Sequence, residues 1–339
     1  MTDTPGWQQR IEAAWLARGP LACALLPVTA LYAALVLLRR ALFALGLLHR
    51  EALPVPVIVV GNVIAGGAGK TPTTIAVVQH LRRRGEHPAI VSRGYGRESF
   101  DITFVTPHSR VREVGDEPLL MCLRTGVPVA VSADRVEAAR ALLTCHPETT
   151  VIVCDDGLQH LRLARDIEVL VFDERGTGNG WWLPAGPLRE SAGRRADLVL
   201  YNAPAASTAR PGYLARRRLG EAVPLARWRQ GAERGLPLAS LVARRVLAVA
   251  AVAHPQRFFG MLKAEGLAIE RCPLPDHHDY AKQPPWTGWP GEVVLVTEKD
   301  AVKLRDCDDP RVHVVALDFA PEAAFFAALD ALLAGRSNA

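Results

Sequence analysis

A glycine-rich turn between an apolar strand and a helix constrains the fold of this chain more than any other feature. Residues 55–60 read V-P-V-I-V-V, a short β-branched run bounded by Pro54 and Gly61, which predicts a buried strand. Residues 61–72 read G-N-V-I-A-G-G-A-G-K-T-P, and apolar residues with helical spacing follow over 73–84. Such a loop points backbone N–H groups and a helix N-terminus at phosphate oxygens. The sequence therefore predicts a phosphate-binding loop in an α/β fold.

The predicted nucleotide contacts in this loop are consecutive residues, namely Gly66, Gly67, Ala68, Gly69, Lys70 and Thr71. Lys70 is expected to reach the β- and γ-phosphates of ATP, and the Thr71 hydroxyl is expected to bind Mg²⁺. The strict spacing G-x-x-x-x-G-K-T requires a glycine at position 64, where this chain has Ile64. The loop is therefore expected to begin with a different backbone geometry. A glycine-rich turn with an incidental Lys-Thr pair is the alternative.

A second hydrophobic run ends in two carboxylates. Residues 151–160 read V-I-V-C-D-D-G-L-Q-H, which predicts a strand followed by acidic residues. In phosphate-loop enzymes an aspartate at such a strand end helps to hold Mg²⁺. Asp155 fits that position, and Asp156 is expected within reach of the same ion or of the γ-phosphate. The alternative is an ordinary D-D-G turn after a strand.

The order of predicted elements indicates the fold class. Strands alternate with helices, which is typical of a parallel sheet covered on both faces. The predicted class is α/β, with a P-loop NTPase-type parallel sheet, a second smaller α/β lobe and an N-terminal membrane-associating helix. The predicted domains are an apolar segment at 1–50, a kinase core lobe at 51–200 and a second lobe at 201–339, whose last helix is free to pack back on the core lobe.

The N-terminal segment is unusually apolar. Leu21 to Leu38 contains no charged residue in 18 positions and would form a helix of about 27 Å, just short of a hydrocarbon core of about 30 Å. Pro27 is expected to disrupt a straight helix in its first third. Arg18, Arg39, Arg40 and Arg50 flank the segment and could pair with anionic headgroups. A single span, a helix in the bilayer interface and a buried core helix all remain open.

Composition limits the classes of partner and the compartment. The formal net charge is +5 and the pI about 9.0, which permits attraction to phosphates, anionic lipids or nucleic acid. The basic run Arg216 to Arg218 is interpreted as solvated surface, and no zinc-finger or recognition-helix signature occurs, so no nucleic-acid partner is predicted. The six cysteines include no C-x-x-C pair, which favours a reducing cytoplasmic setting.

Four further motifs carry polar chemistry. S-R-G-Y-G-R at 92–97 could grip an anionic or sugar substrate or could be a simple turn. In G-D-E-P at 115–118, Asp116 is either a helix N-cap or a base for an attacking hydroxyl. D-H-H-D-Y at 276–280 suits proton handling, metal binding or plain surface polarity. T-E-K-D-A at 297–301 fits a helix cap followed by first-turn acids.

Taken together, these motifs resemble the tetraacyldisaccharide 4′-kinase (lipid A 4′-kinase) family of Gram-negative bacteria. The resemblance rests on the motifs above, the last extended to T-E-K-D-A-V-K-L at 297–304, and on L-P-A-G-P-L-R-E at 183–190, in order from residue 61 to residue 304. The family also lacks the first glycine of the strict phosphate loop. The resemblance implies transfer of the γ-phosphate of ATP to the 4′-hydroxyl of a lipid A disaccharide 1-phosphate. It further implies two α/β/α lobes with the site between them, at the cytoplasmic face of the inner membrane.

The resemblance also implies roles for individual residues. Asp116 and His277 resemble the two residues that together act as the catalytic base of the family. Lys70 is the third expected catalytic residue. The residues that resemble substrate contacts are Arg93, Tyr95 and Arg189. The choice of His277 over His278 follows the D-H-x-x-Y pattern. The expected partners are the lipid substrate and the membrane surface.

Two other functions compete with the kinase interpretation. The first is a membrane-recruited P-loop ATPase that acts as a switch or assembly factor without an acceptor substrate. The second is a nucleic-acid-dependent NTPase. A switch would hydrolyse ATP without making a phosphorylated product, whereas a kinase would add one phosphate to a lipid.

Overall fold

The computed structural model describes residue 11, residues 13–280 and residues 284–337. Residues 1–10 and 12 of the predicted N-terminal segment, and residues 338–339 of the predicted second lobe, lie outside the described residues. The described chain packs as two compact units. Unit 1 takes its residues from 1–91, 134–216 and 321–339, and unit 2 takes its residues from 92–133 and 217–320. This grouping puts 92–133 with unit 2 and the last helix with unit 1; the predicted boundaries near residues 50 and 200 stay a prediction.

The helices are α1 (Pro20–Ala24), α2 (Leu26–Ala44), α3 (Lys70–Arg83), α4 (Val111–Val114), α5 (Asp116–Thr125), α6 (Arg135–Cys145), α7 (Leu225–Trp228), α8 (Pro255–Ala264), α9 (Glu298–Ala301) and α10 (Ala323–Ser337). The strands are β1 (Val57–Gly61), β2 (Pro88–Ser92), β3 (Thr103–Val105), β4 (Val129–Val131), β5 (Val151–Asp155), β6 (Ile167–Asp173), β7 (Leu198–Asn202), β8 (Tyr213–Pro224), β9 (Val246–Ala250), β10 (Ile269–Pro273), β11 (Val293–Thr297) and β12 (Val312–Pro321).

Unit 1 is built on a parallel sheet. Strand β1 lies between β5 and β6, β2 pairs with β5, and β7 pairs with β6. Every residue of β1, β2, β5 and β7 is buried, as expected for strands covered on both faces. Helix α10 packs on α3, where His80 stacks on Phe326 and hydrogen-bonds Asp330 at 2.8 Å. The predicted α/β fold class is confirmed.

Unit 2 also contains a set of parallel strands. Strand β9 lies between β10 and β11, and β11 pairs with β12. One hydrophobic cluster contains Phe258, Phe259 and Leu262 of α8, and a second contains Tyr280 and Trp286. Strands β3 and β4 form a short antiparallel pair. The apolar runs of this half of the chain therefore form a true core.

Helix α2 is apolar and lies on the surface. Within the described residues it is the one helix long and apolar enough to cross a membrane, and 6% of its most apolar window is buried. Its 19 residues span about 28 Å. The core-helix alternative is therefore wrong. Pro27 lies in the first turn of α2, directly after the break that separates α1 from α2, which places the predicted disruption at a helix start.

Polar side chains fasten α2 to the segment at 182–190. Tyr32 donates from its hydroxyl to the carbonyl oxygen of Arg189 at 2.8 Å. The Thr29 hydroxyl donates to the Trp182 carbonyl oxygen at 3.3 Å and accepts from the backbone N–H of Ala185 at 3.0 Å. The leucines of α2 point away from this segment. The polar side chains therefore hold the helix in place while its apolar surface stays exposed.

The core of unit 2 predicts a clear difference between two phenylalanines. Phe259 is fully buried, whereas Phe100 in the same unit is 85% exposed. Phe259→Ala should lower the free energy of unfolding of unit 2 by roughly 3–5 kcal/mol, because it removes buried contacts and leaves a cavity. Phe100→Ala should change it by less than about 0.5 kcal/mol. Urea unfolding followed by circular dichroism measures both; equal losses would contradict this description of the core.

Candidate active site

The predicted phosphate loop follows the carboxyl end of β1 and begins with a short backbone pairing. The N–H of Arg189 donates to the Val63 carbonyl oxygen at 2.7 Å, and the N–H of Ala65 donates to the Pro187 carbonyl oxygen at 2.8 Å. Between them Ile64 is fully buried and forms a β-bridge with Leu188. A buried side chain and a paired backbone are what this position requires, which explains why it holds isoleucine instead of glycine.

The end of the loop needs a glycine for two reasons. Gly69 is the N-cap of α3 and has a φ of 97°, a left-handed conformation that side chains disfavour. A Cβ at this position would lie 1.9 Å from Asn202 Nδ2. That nitrogen donates to the Ala68 carbonyl oxygen at 2.9 Å, so Asn202 at the end of β7 fixes the shape of the loop. Asn202 could not be predicted from the sequence, because nothing local to it signals this contact.

Lys70 lies at the first position of α3 and is largely buried. Its ammonium is 3.7 Å from Asp156 Oδ1 and donates to Asn62 Oδ1 at 3.4 Å. The amide of Asn62 in turn donates to the Gly66 carbonyl oxygen at 3.3 Å. Asn62 was not singled out from the sequence, although it stands inside the quoted loop motif. The phosphate loop thus positions Lys70, which is predicted to bind the phosphates of ATP.

The two aspartates after β5 have different environments. Asp155 is buried at the strand end and accepts a hydrogen bond from the Thr74 hydroxyl at 2.9 Å. Asp156 has a φ of 48°, a region that aspartate tolerates better than most residues. Gly157 follows because a Cβ there would lie 2.4 Å from Cys154 Sγ. The D-D-G sequence therefore turns the chain sharply at the sheet edge.

Electrostatics keep Asp156 ionised. Burial raises the pKa of its carboxyl group, but the nearby charges of Lys70 and Arg189 outweigh burial and lower the pKa overall. Arg189 Nη1 lies 3.3 Å from both carboxylate oxygens of Asp156. Arg189, predicted as a substrate contact, is therefore placed beside the predicted metal residues, within unit 1.

The donor set at this edge suits a magnesium ion. Thr71 is buried in the first turn of α3, and Asp155 and Asp156 supply carboxylate oxygens. Among the described residues, no group of three or more His, Cys, Asp or Glu side chains could hold a metal ion. Mg²⁺ fits such a sparse set, because it binds through one or two carboxylates and takes its other ligands from water and phosphates.

A second arginine, which the sequence motifs did not predict, lies against the loop. Arg175 Nε donates to Asp173 Oδ2 at 3.0 Å, and Arg175 Nη1 donates to the Ala65 carbonyl oxygen at 3.2 Å. Its Nη2 is buried and has no hydrogen-bond partner within the described residues. This guanidinium adds positive charge at the entrance of the loop.

Unit 2 brings Asp116 and His277 together. His277 Nδ1 is 2.8 Å from Asp116 Oδ2, and the Asp116 side chain is 2% exposed. Helix α5 has Gly115 as its N-cap and Asp116 as its first residue, so the capping alternative for Asp116 is wrong. Asp116 Oδ1 instead accepts from the next backbone N–H, that of Glu117, at 2.9 Å. One oxygen is held by the backbone and the other by the imidazole.

The pKa values of Asp116 and His277 are shifted in opposite directions. Burial raises the pKa of Asp116, but the hydrogen bond with His277 and the charge of Lys299 outweigh burial and lower it overall. The same hydrogen bond raises the pKa of His277. A carboxylate that stays ionised beside an imidazole that gains protons readily can accept and pass on a proton.

The loop at 276–280 separates the two adjacent histidines. His277 has a φ of 59°, and its ring centre lies 5.2 Å from that of Tyr95. His278 instead packs edge-on against Tyr280, with ring centres 5.0 Å apart. The geometry thus pairs His277 with Asp116. Tyr95 and Arg93, the other predicted substrate contacts, are exposed in unit 2.

A phosphate loop at the centre of a parallel sheet, with an acidic strand end beside it, defines the class of P-loop nucleoside-triphosphate-binding proteins. A family model described as tetraacyldisaccharide-1-P 4′-kinase matches residues 21–334. The chain belongs to this family, as the resemblance of its motifs predicted.

Individual relatives agree with the family model. A protein of Methylibium petroleiphilum named tetraacyldisaccharide 4′-kinase is 54% identical over 94% of this chain and 92% of its own length. A protein of the same name from Acidovorax ebreus is 50% identical over 97% and 96%. Among solved structures, "apo" form LpxK from Aquifex aeolicus in complex with ATP matches with a TM-score of 0.77 and 29% identity, over 93% of this chain and 99% of that one.

The phosphate loop yields a prediction that compares two glycines. Gly69 and Gly85 both have left-handed φ values, of 97° and 85°, but a Cβ at Gly85 would meet no atom within 4 Å. Gly69→Ala should lower the affinity for ATP about tenfold or more, because it displaces Asn202 from the loop. Gly85→Ala carries similar backbone strain and should leave ATP affinity unchanged. Titration calorimetry measures both, and equal effects would mean that strain alone matters.

Proposed function

We propose that this protein transfers the γ-phosphate of ATP to the 4′-hydroxyl of a tetraacyldisaccharide 1-phosphate, a lipid A precursor. The observation that carries the proposal is the hydrogen bond between buried Asp116 and His277, in a chain of the 4′-kinase family. A sugar hydroxyl is a weak nucleophile, and this pair offers it a proton acceptor.

Unit 1 is the proposed donor side. Backbone N–H groups of the loop and the ammonium of Lys70 bind the phosphates of ATP, and Asn202 and Asn62 hold the loop in shape. Thr71, Asp155 and Asp156 are proposed to hold Mg²⁺, which neutralises phosphate charge when bound. Arg189 keeps Asp156 oriented and ionised. Phosphoryl transfer depends mainly on such positioning and charge neutralisation.

Unit 2 is the proposed acceptor side. Asp116 accepts the proton of the sugar hydroxyl as the new bond to phosphorus forms, and His277 shares that proton through its Nδ1. Tyr95 and Arg93 are the proposed contacts to the sugar and its phosphate. They are exposed, and the Tyr95 ring lies beside His277, so a sugar stacked on Tyr95 would be close to the base.

The membrane is proposed to be reached through α2, at the cytoplasmic face of the inner membrane. Its outward leucines suit lipid contact, whether the helix spans the bilayer or lies in the interface. Of the flanking arginines, Arg40 pairs with Glu190 and Arg18 donates to the Asn179 carbonyl oxygen. Arg50, and Arg39, whose guanidinium lies over the Phe43 ring, are the proposed partners of anionic headgroups.

Mass spectrometry of a tetraacyldisaccharide 1-phosphate incubated with protein and ATP·Mg²⁺ tests the function. The lipid should gain the mass of one phosphate with the wild-type chain. Lys70→Ala should give no product while its circular dichroism spectrum stays unchanged, because Lys70 acts on phosphate charge and not on packing. ATP hydrolysis without any phosphorylated lipid would refute the proposal.

A double-mutant cycle tests the proton acceptor. Asp116→Asn and His277→Ala should each lower kcat by about 10²–10⁴-fold with little change in ATP affinity. The double variant should be hardly slower than either single variant, as expected for two residues that act as one unit. Steady-state kinetics measures the three variants. If the fold-losses in kcat of the two single variants multiply in the double variant, Asp116 and His277 work independently.

A pair of double variants tests the membrane surface. Leu31 and Leu35 of α2 are 63% and 57% exposed, whereas Leu123 and Leu236 elsewhere are 38% and 37% exposed. Leu31→Asn with Leu35→Asn should reduce binding to anionic phospholipid vesicles at least about tenfold, because apolar area that would enter the bilayer is lost. Leu123→Asn with Leu236→Asn should leave cosedimentation unchanged. Unchanged binding of the first variant would mean that another surface binds the membrane.

A further inference from the structure

A buried lysine connects the two members of the Asp116–His277 pair. Lys299 lies in the first turn of α9, and its side chain is 16% exposed. Its ammonium is 3.1 Å from Glu117 Oε1, 3.2 Å from Asp276 Oδ1 and 3.9 Å from Asp116 Oδ2. One ammonium therefore faces three carboxylates in unit 2. This concentration of charge on a largely buried residue has no role in the assignments made so far.

The contact with Asp276 extends to the backbone of His277. Asp276 Oδ1, the oxygen that contacts the ammonium of Lys299, also accepts from the backbone N–H of His277 at 3.0 Å. His277 holds a left-handed φ of 59°, which is costly for a residue other than glycine. Lys299 thus anchors the carboxylate that supports this conformation.

The contact with Asp116 is electrostatic. Nearby positive charge favours the ionised form of a carboxyl group and disfavours the protonated form of an imidazole. The charge of Lys299 accordingly lowers the pKa of Asp116 and opposes the rise in the pKa of His277. The ammonium itself stays protonated, because its three carboxylate neighbours outweigh the burial that would lower its pKa.

We propose that Lys299 is the positioning residue of the phosphoryl-acceptor site: it fixes His277 through Asp276 and holds Asp116 ionised against protonation. This inference rests on the proposed function of the Asp116–His277 pair. The sequence motif T-E-K-D-A, interpreted as a helix cap, then has a second use. Thr297 does cap α9 by accepting from the N–H of Asp300, while Lys299 points its charge at the pair.

The charged groups that act on the pair are Asp276 of the 276–280 loop, Lys299 of α9, and Lys303, which follows α9. Glu117 of α5 pairs with Lys299. Lys303 is paired with Asp300 at 3.0 Å. Of the two lysines, Lys299 is the one whose ammonium lies within 4 Å of Asp116, at 3.9 Å. Its removal is therefore the substitution that isolates the effect.

The sign of the pH effect follows from these charges. Replacing Lys299 by an uncharged residue removes the influence that lowers the pKa of Asp116 and of His277, so both values rise. The pair then becomes protonated at a higher pH, where it can no longer accept a proton. The acid limb of kcat/KM for the lipid substrate should move to higher pH by about one unit in Lys299→Met.

Two further variants make this measurement specific. Lys299→Arg keeps the charge and should keep the acid limb near its wild-type position. Lys263→Met removes a lysine from the exposed face of α8 and should leave the whole profile unchanged. In Lys299→Met, kcat should fall while the KM for ATP stays the same, because the donor residues are untouched. A folded Lys299→Met with the wild-type acid limb overturns the proposal.

A measurement without turnover covers the case in which Lys299→Met fails to fold. The double variant Lys299→Gln with Glu117→Gln leaves less unpaired negative charge than Lys299→Met does. NMR titration of the His277 imidazole should give a higher pKa in this double variant than in Glu117→Gln alone. An unchanged His277 titration overturns the proposal even if the enzyme is inactive. Wild-type protein that makes no phosphorylated lipid would instead refute the proposed function and leave this titration to decide the role of Lys299.

Discussion

The parallel pairing of β1 with β5 is the constraint on which the rest of unit 1 depends. Val60 lies opposite Asp155 in this register, so both strands end at the same edge of the sheet. The glycine loop leaves one strand where the two aspartates leave the other. Lys70 and Asp156 can then form an ion pair although they are far apart in the chain. A slip of the register by one residue would turn every side chain of β5 to the opposite face and separate these groups.

Both units keep one carboxylate ionised by surrounding it with cationic or hydrogen-bonding partners. Each contains a carboxylate whose pKa is raised by burial: Asp156 in unit 1 and Asp116 in unit 2. In each case a nearby lysine and a second cationic or hydrogen-bonding partner restore the ionised form, with Arg189 in the first case and His277 in the second. Removing one partner from either group would leave its carboxylate less well compensated, so the residues around Asp156 and Asp116 are constrained by charge as well as by packing.

Much of the sheet could be predicted because buried parallel strands are continuous apolar runs. The predicted strand at 55–60 overlaps β1 (Val57–Gly61), and the apolar residues at 151–154 fall within β5. Strand β8 was missed because its arginines resemble solvated surface, and β10 because its residues are half-exposed. The cap predicted at T-E-K-D-A is confirmed at Thr297, and the helix that follows it ends at Ala301. Asn202 and Lys299 act through contacts distant in sequence, which periodicity does not encode.

The segment at 182–190 is held on both sides. On one side it accepts the hydroxyl hydrogen bonds of Tyr32 and Thr29 from α2, and on the other it pairs with the entrance of the phosphate loop around Ile64. The apolar helix and the nucleotide loop are thus joined by a continuous path of hydrogen bonds. A change in the tilt of α2 would strain the phosphate loop directly, so the position of this helix is mechanically coupled to the residues proposed to bind ATP.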